Sequence, residues 1–358
     1  MHKKLFIPGP TEVREDILKA QANWMIGHRS KEFGELYHSC VSKTQQALDT
    51  KHRVMWFTSS GTGCMESAIR NVVDGKILHC VGGAFADRWF KMSGLCGKEA
   101  ERIDVEWGKA VKPEMIDAEL AKGDYCAVAL TQNETSTGVR QPIEAIAKMM
   151  KEKHPDVLIL VDAVSGLMGD WFAIDELGLD VVVAGSQKAF ALPPGLGISI
   201  VSPRAYDKSL TMADRGFYFN WEAMMKRYEK DHQTPTTPAI SLFWALDKEL
   251  DKILEETMKG RYERHLEMAK FTREWVTKHF ALFAEPGYES VTLTTGANNK
   301  GISVADLNKE LASRNMQISN GYGKQLKEKT FRIAHMGDLT MADMKEVTTA
   351  IEEILGLD

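Results

Sequence analysis

Between about residues 50 and 205 the chain alternates short, nearly continuous apolar runs with longer stretches of helical periodicity. The runs are Val54 to Thr58, Ile77 to Val81, Cys126 to Thr131, Val157 to Asp162, Val181 to Gly185 and Gly197 to Val201. Segments this short, rich in β-branched residues and with little polar alternation, are what strands covered on both faces look like. Strands alternating with helices predict an α/β protein with a mainly parallel sheet flanked by helices. Helical spacing recurs at Ile143, Ile146, Met149 and Met150. After Pro238 it returns at Ile240, Phe243, Leu246, Leu250, Ile253 and Leu254, a long amphipathic helix leaving the sheet. From about Tyr262 the pattern is a helix, alternating segments around Ser290 to Thr294 and Thr330 to Ala334, and a terminal helix from Met341, which predicts a smaller α+β domain. A chain of 358 residues exceeds one ordinary core. The expected division is a large domain over 15–255 and a small one from 1–14 with 256–358.

In such folds ligands bind where strands end, and three of these ends carry chemistry. Val181 to Gly185 runs into Ser186-Gln187-Lys188, a lysine able to form an imine, and Val157 to Val161 runs into Asp162, able to hold a protonated ring nitrogen. Singly, each has a plainer reading as a solvated loop lysine and a helix N-cap. The strand from Val54 empties into Thr58-Ser59-Ser60-Gly61-Thr62-Gly63-Cys64 ahead of a helical pattern, which reads as a phosphate cradle or as a serine-rich cap. Neither GxxxxGK[ST] nor GxGxxG follows this strand, so a nucleotide is not the expected ligand.

Composition removes several classes. The net charge is −5 with acidic and basic residues interleaved, so no basic stripe is available for nucleic acid. The apolar stretch Leu5-Phe6-Ile7 is too short for a signal-peptide core, no segment has the length of a bilayer span, and a cytoplasmic protein with no membrane partner is expected. Five widely spaced cysteines, without CxxC pairs, predict neither disulfides nor a metal site.

The motifs also occur in an ordered series: PGP at Pro8 to Pro10, SGTG at Ser60 to Gly63, GAFADR at Gly83 to Arg88, NETSTGV at Asn133 to Val139, VDAVSG at Val161 to Gly166, GSQKA at Gly185 to Ala189 and FRIAHMG at Phe331 to Gly337. In these the chain resembles, over nearly its whole length, the class V aminotransferases of fold-type I, within them the alanine-glyoxylate and serine-pyruvate group. The resemblance implies pyridoxal 5′-phosphate as cofactor and Lys188 as its Schiff-base residue and proton shuttle. It implies Asp162 against the pyridine nitrogen, Phe85 stacked on the ring, and Thr135 donating to the phenolic oxygen. Thr62, the amides of Gly63 and Cys64, and Gln187 are expected on the phosphate, joined by Thr236 from the partner chain of a homodimer. Gln233 stands where a tyrosine is common. Arg332, with the backbone of Gly9, is expected to hold the substrate carboxylate; His28 and Arg29 carry no assigned role.

The activity implied is ping-pong transfer of an amino group from serine or alanine to glyoxylate or pyruvate. A second arginine, Arg29, Arg88 or Arg140, would extend the range to aspartate or phosphoserine. The lyase branch is disfavoured because Gln187, not histidine, precedes Lys188 and no cysteine follows Cys126. A non-catalytic cofactor sensor is also disfavoured, since such proteins carry a DNA-binding module ahead of the fold and Pro8-Gly9-Pro10 leaves no room for one.

Overall fold

A computed structural model describes residues 2–357. Its main sheet has seven strands in the order Arg53–Thr58, Leu196–Val201, Val181–Gly185, Leu158–Asp162, Tyr125–Thr131, Lys76–Val81 and Ala100–Asp104. Only Leu196–Val201 runs against its neighbours, so the sheet is mainly parallel. The central strands Leu158–Asp162 and Val181–Gly185 are buried at every position, which accounts for their unbroken hydrophobicity.

Two apolar clusters fill the two faces of this sheet. One gathers Trp56, Phe190, Phe243, Val161 and Val182; the other gathers Met55, Phe57, Trp89, Leu160 and Val183. Alternate residues of one strand thus serve opposite layers. The long helix Ile240–Glu256 ends at Thr257, whose φ of +63° breaks it from Met258–His279.

A second, five-stranded sheet is built from Lys4–Phe6, Met316–Asn320, Thr330–Ala334, Leu293–Ala297 and Ala281–Leu282, in that order. The first strand pairs in parallel with Met316–Asn320, which ties the amino terminus to the C-terminal part of the chain. Behind it pack Phe6, Met268, Trp275, Phe331 and Ile351. Among the described residues no helix is long and apolar enough to cross a membrane. Cys40, Cys64, Cys80 and Cys96 are buried and Cys126 is half-buried, all as free thiols.

Candidate active site

The parallel strands of the main sheet all end on one edge, and the chain segments that leave them meet in a cleft with about 460 Å³ of atom-free space. Its lining includes Thr62, Phe85, Arg88, Thr135, Asp162, Gln187 and Lys188, drawn from the ends of five strands and the turns and helices that follow them. A cavity of larger volume, lined by His52, His154 and Arg204, lies at the opposite edge, where the strands begin, and shares none of these residues.

Lys188 stands three residues beyond the buried strand Val181–Gly185 and donates to the carbonyl of Pro8. The amino-terminal segment is pinned across this turn by the Thr11 amide on the Gln187 carbonyl, 3.0 Å. Gly9 between them has φ +118°, and a Cβ there would sit 2.5 Å from Lys188 Nζ, so only glycine lets the segment pass the amine. Burial, reinforced by the positive charge of Arg332, lowers the Lys188 pKa to about 8 despite the opposing pull of Asp162.

Asp162 closes its strand with one carboxylate oxygen fixed by the Val164 amide at 2.9 Å. It is 3% exposed, and burial pushes its pKa up to about 7. A cation bound against it would return it to the carboxylate form. Thr135 donates to Ser165 Oγ at 2.7 Å, and Ser165 in turn donates to the Asn133 carbonyl, so the hydroxyls of this wall are ordered before any ligand arrives.

The helix Gly61–Val72 starts at the cleft without a side-chain cap. The amides of Gly63 and Cys64 both bond to the Ser60 carbonyl, at 3.0 and 3.2 Å. The orphan donors of this helix end are therefore the amides of Gly61 and Thr62, the first two positions. Cys64 points its thiol into the core, where burial pushes its pKa up to about 12. The Gln187 side-chain oxygen is buried without a donor.

Arg332 is carried on the second sheet, 7% exposed. It donates to the Asn320 carbonyl (3.0 Å) and the Thr135 carbonyl (3.2 Å), and burial lowers its pKa to about 10. No carboxylate among the described residues pairs with it.

Other residues singled out in the sequence lie elsewhere. Thr236 is not in the lining of its own chain's cleft. Gln233 is held by Arg227 and by the Ser30 carbonyl. Arg29 binds the carbonyls of Thr234 (2.5 Å) and Pro235 (2.8 Å), clamping the segment that precedes Thr236. Arg140 is consumed by Asp170 (2.5 Å) and Glu144 (2.6 Å).

Two contributors escaped the sequence reading. Glu134, fully buried, accepts from the amides of Phe85 (3.1 Å) and Ala86 (3.0 Å), fixing the start of the helix that bears Phe85. Tyr322 brings its ring to 4.8 Å from that of Phe85 and its hydroxyl to 2.7 Å from Arg88. The NETSTG motif contained Glu134; nothing local marked Tyr322.

The cleft suits a flat, phosphorylated pyridine. A carboxylate with one unused oxygen, an aromatic ring, an uncapped helix end and a lysine of lowered pKa converge there without satisfying one another. Comparison with known proteins agrees. The family model described as Aminotransferase class-V matches residues 12–334. An uncharacterised aminotransferase of Methanocaldococcus jannaschii is 38% identical over 94% of this chain and 88% of its own. The L-aspartate–glyoxylate aminotransferase of Paracoccus denitrificans is 34% identical over 94% and 87%. The crystal structure of an alanine–glyoxylate aminotransferase from Nostoc sp. superposes with a TM-score of 0.93 at 26% identity, covering 99% and 96%. The chain therefore belongs to the class V aminotransferases, fold-type I enzymes that use pyridoxal 5′-phosphate to move amino groups.

Proposed function

We propose that the enzyme moves an amino group from a small amino acid, serine or alanine, to a small 2-oxo acid, glyoxylate or pyruvate, in two half-reactions through the same cleft. The observation that carries the reading is the convergence of Lys188 and Asp162 in one cleft, with a buried Arg332, free of any carboxylate partner among the described residues, close enough for its charge to act on Lys188. Glyoxylate is named as acceptor by two of the relatives above, whose donors differ.

Bound in the cleft, pyridoxal phosphate supplies a ring that takes up the electron pair left when the substrate Cα loses its proton. Asp162 holds the pyridine nitrogen protonated. The Gly61 and Thr62 amides, the Thr62 hydroxyl and Gln187 hold the phosphate, while Thr135 holds the phenolic oxygen and Phe85 covers the ring. The Gly63 and Cys64 amides serve this cradle by shaping the helix turn. Arg332 takes the substrate carboxylate in its planar fork, with the Gly9 backbone beside it, and so turns the Cα proton toward Lys188. An amine with a pKa near 8 then accepts that proton and returns it at the neighbouring carbon. Thr236 acts on the phosphate of a partner copy in a homodimer, in a segment that Arg29 holds in place.

The test is the visible absorption of the purified holoenzyme. Serine or alanine should shift the bound cofactor's band, and glyoxylate or pyruvate should restore it; Lys188→Ala should show neither change. A band that no amino acid shifts refutes the proposal, and a light-scattering mass of one chain removes the role of Thr236.

A further inference from the structure

Two guanidinium groups stand close enough to Lys188 for their charges to act on it, and neither has a carboxylate partner among the described residues. Arg332 has only backbone carbonyls. Arg88, which lines the cleft and whose charge reaches both Lys188 and Asp162, has the hydroxyl of Tyr322 at 2.7 Å. Two unneutralised cations beside a site that takes anionic substrates present a choice. One carboxylate is enough for Arg332, and a second would be drawn to Arg88.

Tyr322 stands between them. Its ring centroid is 5.5 Å from the Arg332 guanidinium carbon and 4.8 Å from the Phe85 ring, while the Arg88 guanidinium carbon is 4.8 Å from the Phe85 ring. Arg332, Tyr322, Arg88 and Phe85 therefore form one contact chain from the small sheet to the cofactor wall. Tyr322 is half-buried and sits between Gly321 and Gly323. A Cβ at Gly321 would strike the Leu326 carbonyl, and its amide bonds to the Thr330 carbonyl at 2.9 Å. The turn is thus held against its own sheet with the phenol projecting toward Arg88.

We propose that Tyr322 is a specificity-determining residue that keeps Arg88 from serving as a distal carboxylate site. The phenol occupies both the hydrogen-bonding edge of Arg88 and the space between the two guanidinium groups, where a substrate's second carboxylate would have to pass. Donors with short uncharged side chains fit beneath it; a four-carbon dicarboxylate must displace it and break its bond to Arg88. Of the three arginines able to extend the range to acidic donors, Arg29 and Arg140 are already engaged, so Arg88 alone remains. The inference rests on the aminotransferase reading and adds to it the class of donor rejected.

The experiment compares the holoenzyme with Tyr322→Phe and Tyr322→Leu in two measurements. The first is the ratio of kcat/KM for aspartate to that for alanine, with glyoxylate as acceptor. The second is the calorimetric Kd for succinate, an unreactive dicarboxylate, against acetate. Freeing a charged hydrogen-bonding edge is worth ~1.4 kcal/mol, so both variants should raise the ratio and tighten succinate by about tenfold, with acetate changing less. Arg88→Gln added to Tyr322→Phe should cancel both gains. An unchanged ratio and succinate Kd in both variants overturn the proposal, as does a wild-type enzyme that already prefers aspartate. If the wild type transfers from no amino acid, the parent reading fails, while succinate binding still decides whether the phenol guards Arg88.

Discussion

Lys188 meets two opposing demands. Folding buries its amine next to Arg332 and Arg88, which favours the neutral form, while Asp162 favours the charged one. Burial is the larger effect, and the pKa falls from 10.5 to about 8. Below that value the amine is mostly protonated and cannot attack a carbonyl; above it, it is free. Capture of pyridoxal phosphate by the apoprotein should therefore quicken about tenfold per pH unit up to pH 8 and then level off. Stopped-flow absorbance between pH 6 and 10 checks this. A rise continuing to pH 10 would mean that the amine keeps an ordinary lysine pKa. Lys188 and Asp162 were readable in the sequence because each follows an apolar run that ends abruptly, and strand ends are where such folds expose chemistry. Tyr322 was not readable. Its meaning comes from Arg88, 234 positions away in the chain, and no local pattern encodes a contact of that kind.

At the scale of elements, the helix Ala84–Leu95 shows how a buried charge can organise a site. Its N-cap is Gly83, which has no side chain to satisfy the first amides. Glu134, from the short strand Asn133–Glu134, supplies the missing acceptor to Phe85 and Ala86 and also takes the Ser136 hydroxyl at 2.6 Å. A carboxylate at a helix amino terminus is favoured by the helix dipole as well. Glu134→Ala should leave those amides buried and unbonded and cost ~1–3 kcal/mol of stability, read as a lower urea midpoint. Because Phe85 starts this helix, the variant should also hold pyridoxal phosphate more weakly, measured by cofactor release on dialysis. Equal midpoints and equal retention would show that the cap is dispensable. Element boundaries differed from expectation where polar residues do work that periodicity ignores. Ala100–Asp104, with the sequence AERID, pairs only with Lys76–Val81 and is half-exposed, so it lacks the apolar run that marks the central strands. The predicted strand at Ser290 to Thr294 begins only at Leu293. Ser290 and Thr292 are fully buried ahead of it, and Thr292 donates to the Ser165 carbonyl at 2.6 Å, so their burial supports the wall of the cleft and not a ladder.

Across the whole molecule, one buried guanidinium joins the parts that carry Lys188 and Arg332. Arg261, 1% exposed, donates to the carbonyls of Ala189 (2.8 Å) and Met168 (3.0 Å) and pairs with Glu256 (2.9 Å) and Asp338 (3.2 Å). Ala189 follows Lys188, and Asp338 lies four residues beyond the strand Thr330–Ala334 that carries Arg332, so their relative position depends on this junction. A third acid, Glu249, lies 3.7 Å from the same guanidinium with neither oxygen accepting a hydrogen bond. Lys252 lies farther off, and Arg264 is occupied by Glu256 at 2.6 Å. Burial together with the Asp338 charge outweighs the pull of Arg261 and Lys252 and pushes the Glu249 pKa up from 4.5 to about 9. The folded protein thus holds a proton that an unfolded chain releases above pH 4.5. Native protein binds more protons than unfolded protein throughout that window, so this group's contribution is complete below pH 4.5 and is lost as pH rises toward 9. Each unit of displacement corresponds to ~1.4 kcal/mol. Glu249→Gln keeps the shape and cannot titrate. The wild-type urea midpoint should therefore fall between pH 6 and 9 more steeply than that of the variant. Asp162 and Lys188 titrate in the same range in both proteins, so the difference between the two curves isolates Glu249. Parallel curves would mean that Glu249 is already ionised at neutral pH, its charge balanced by the Arg261 guanidinium 3.7 Å away.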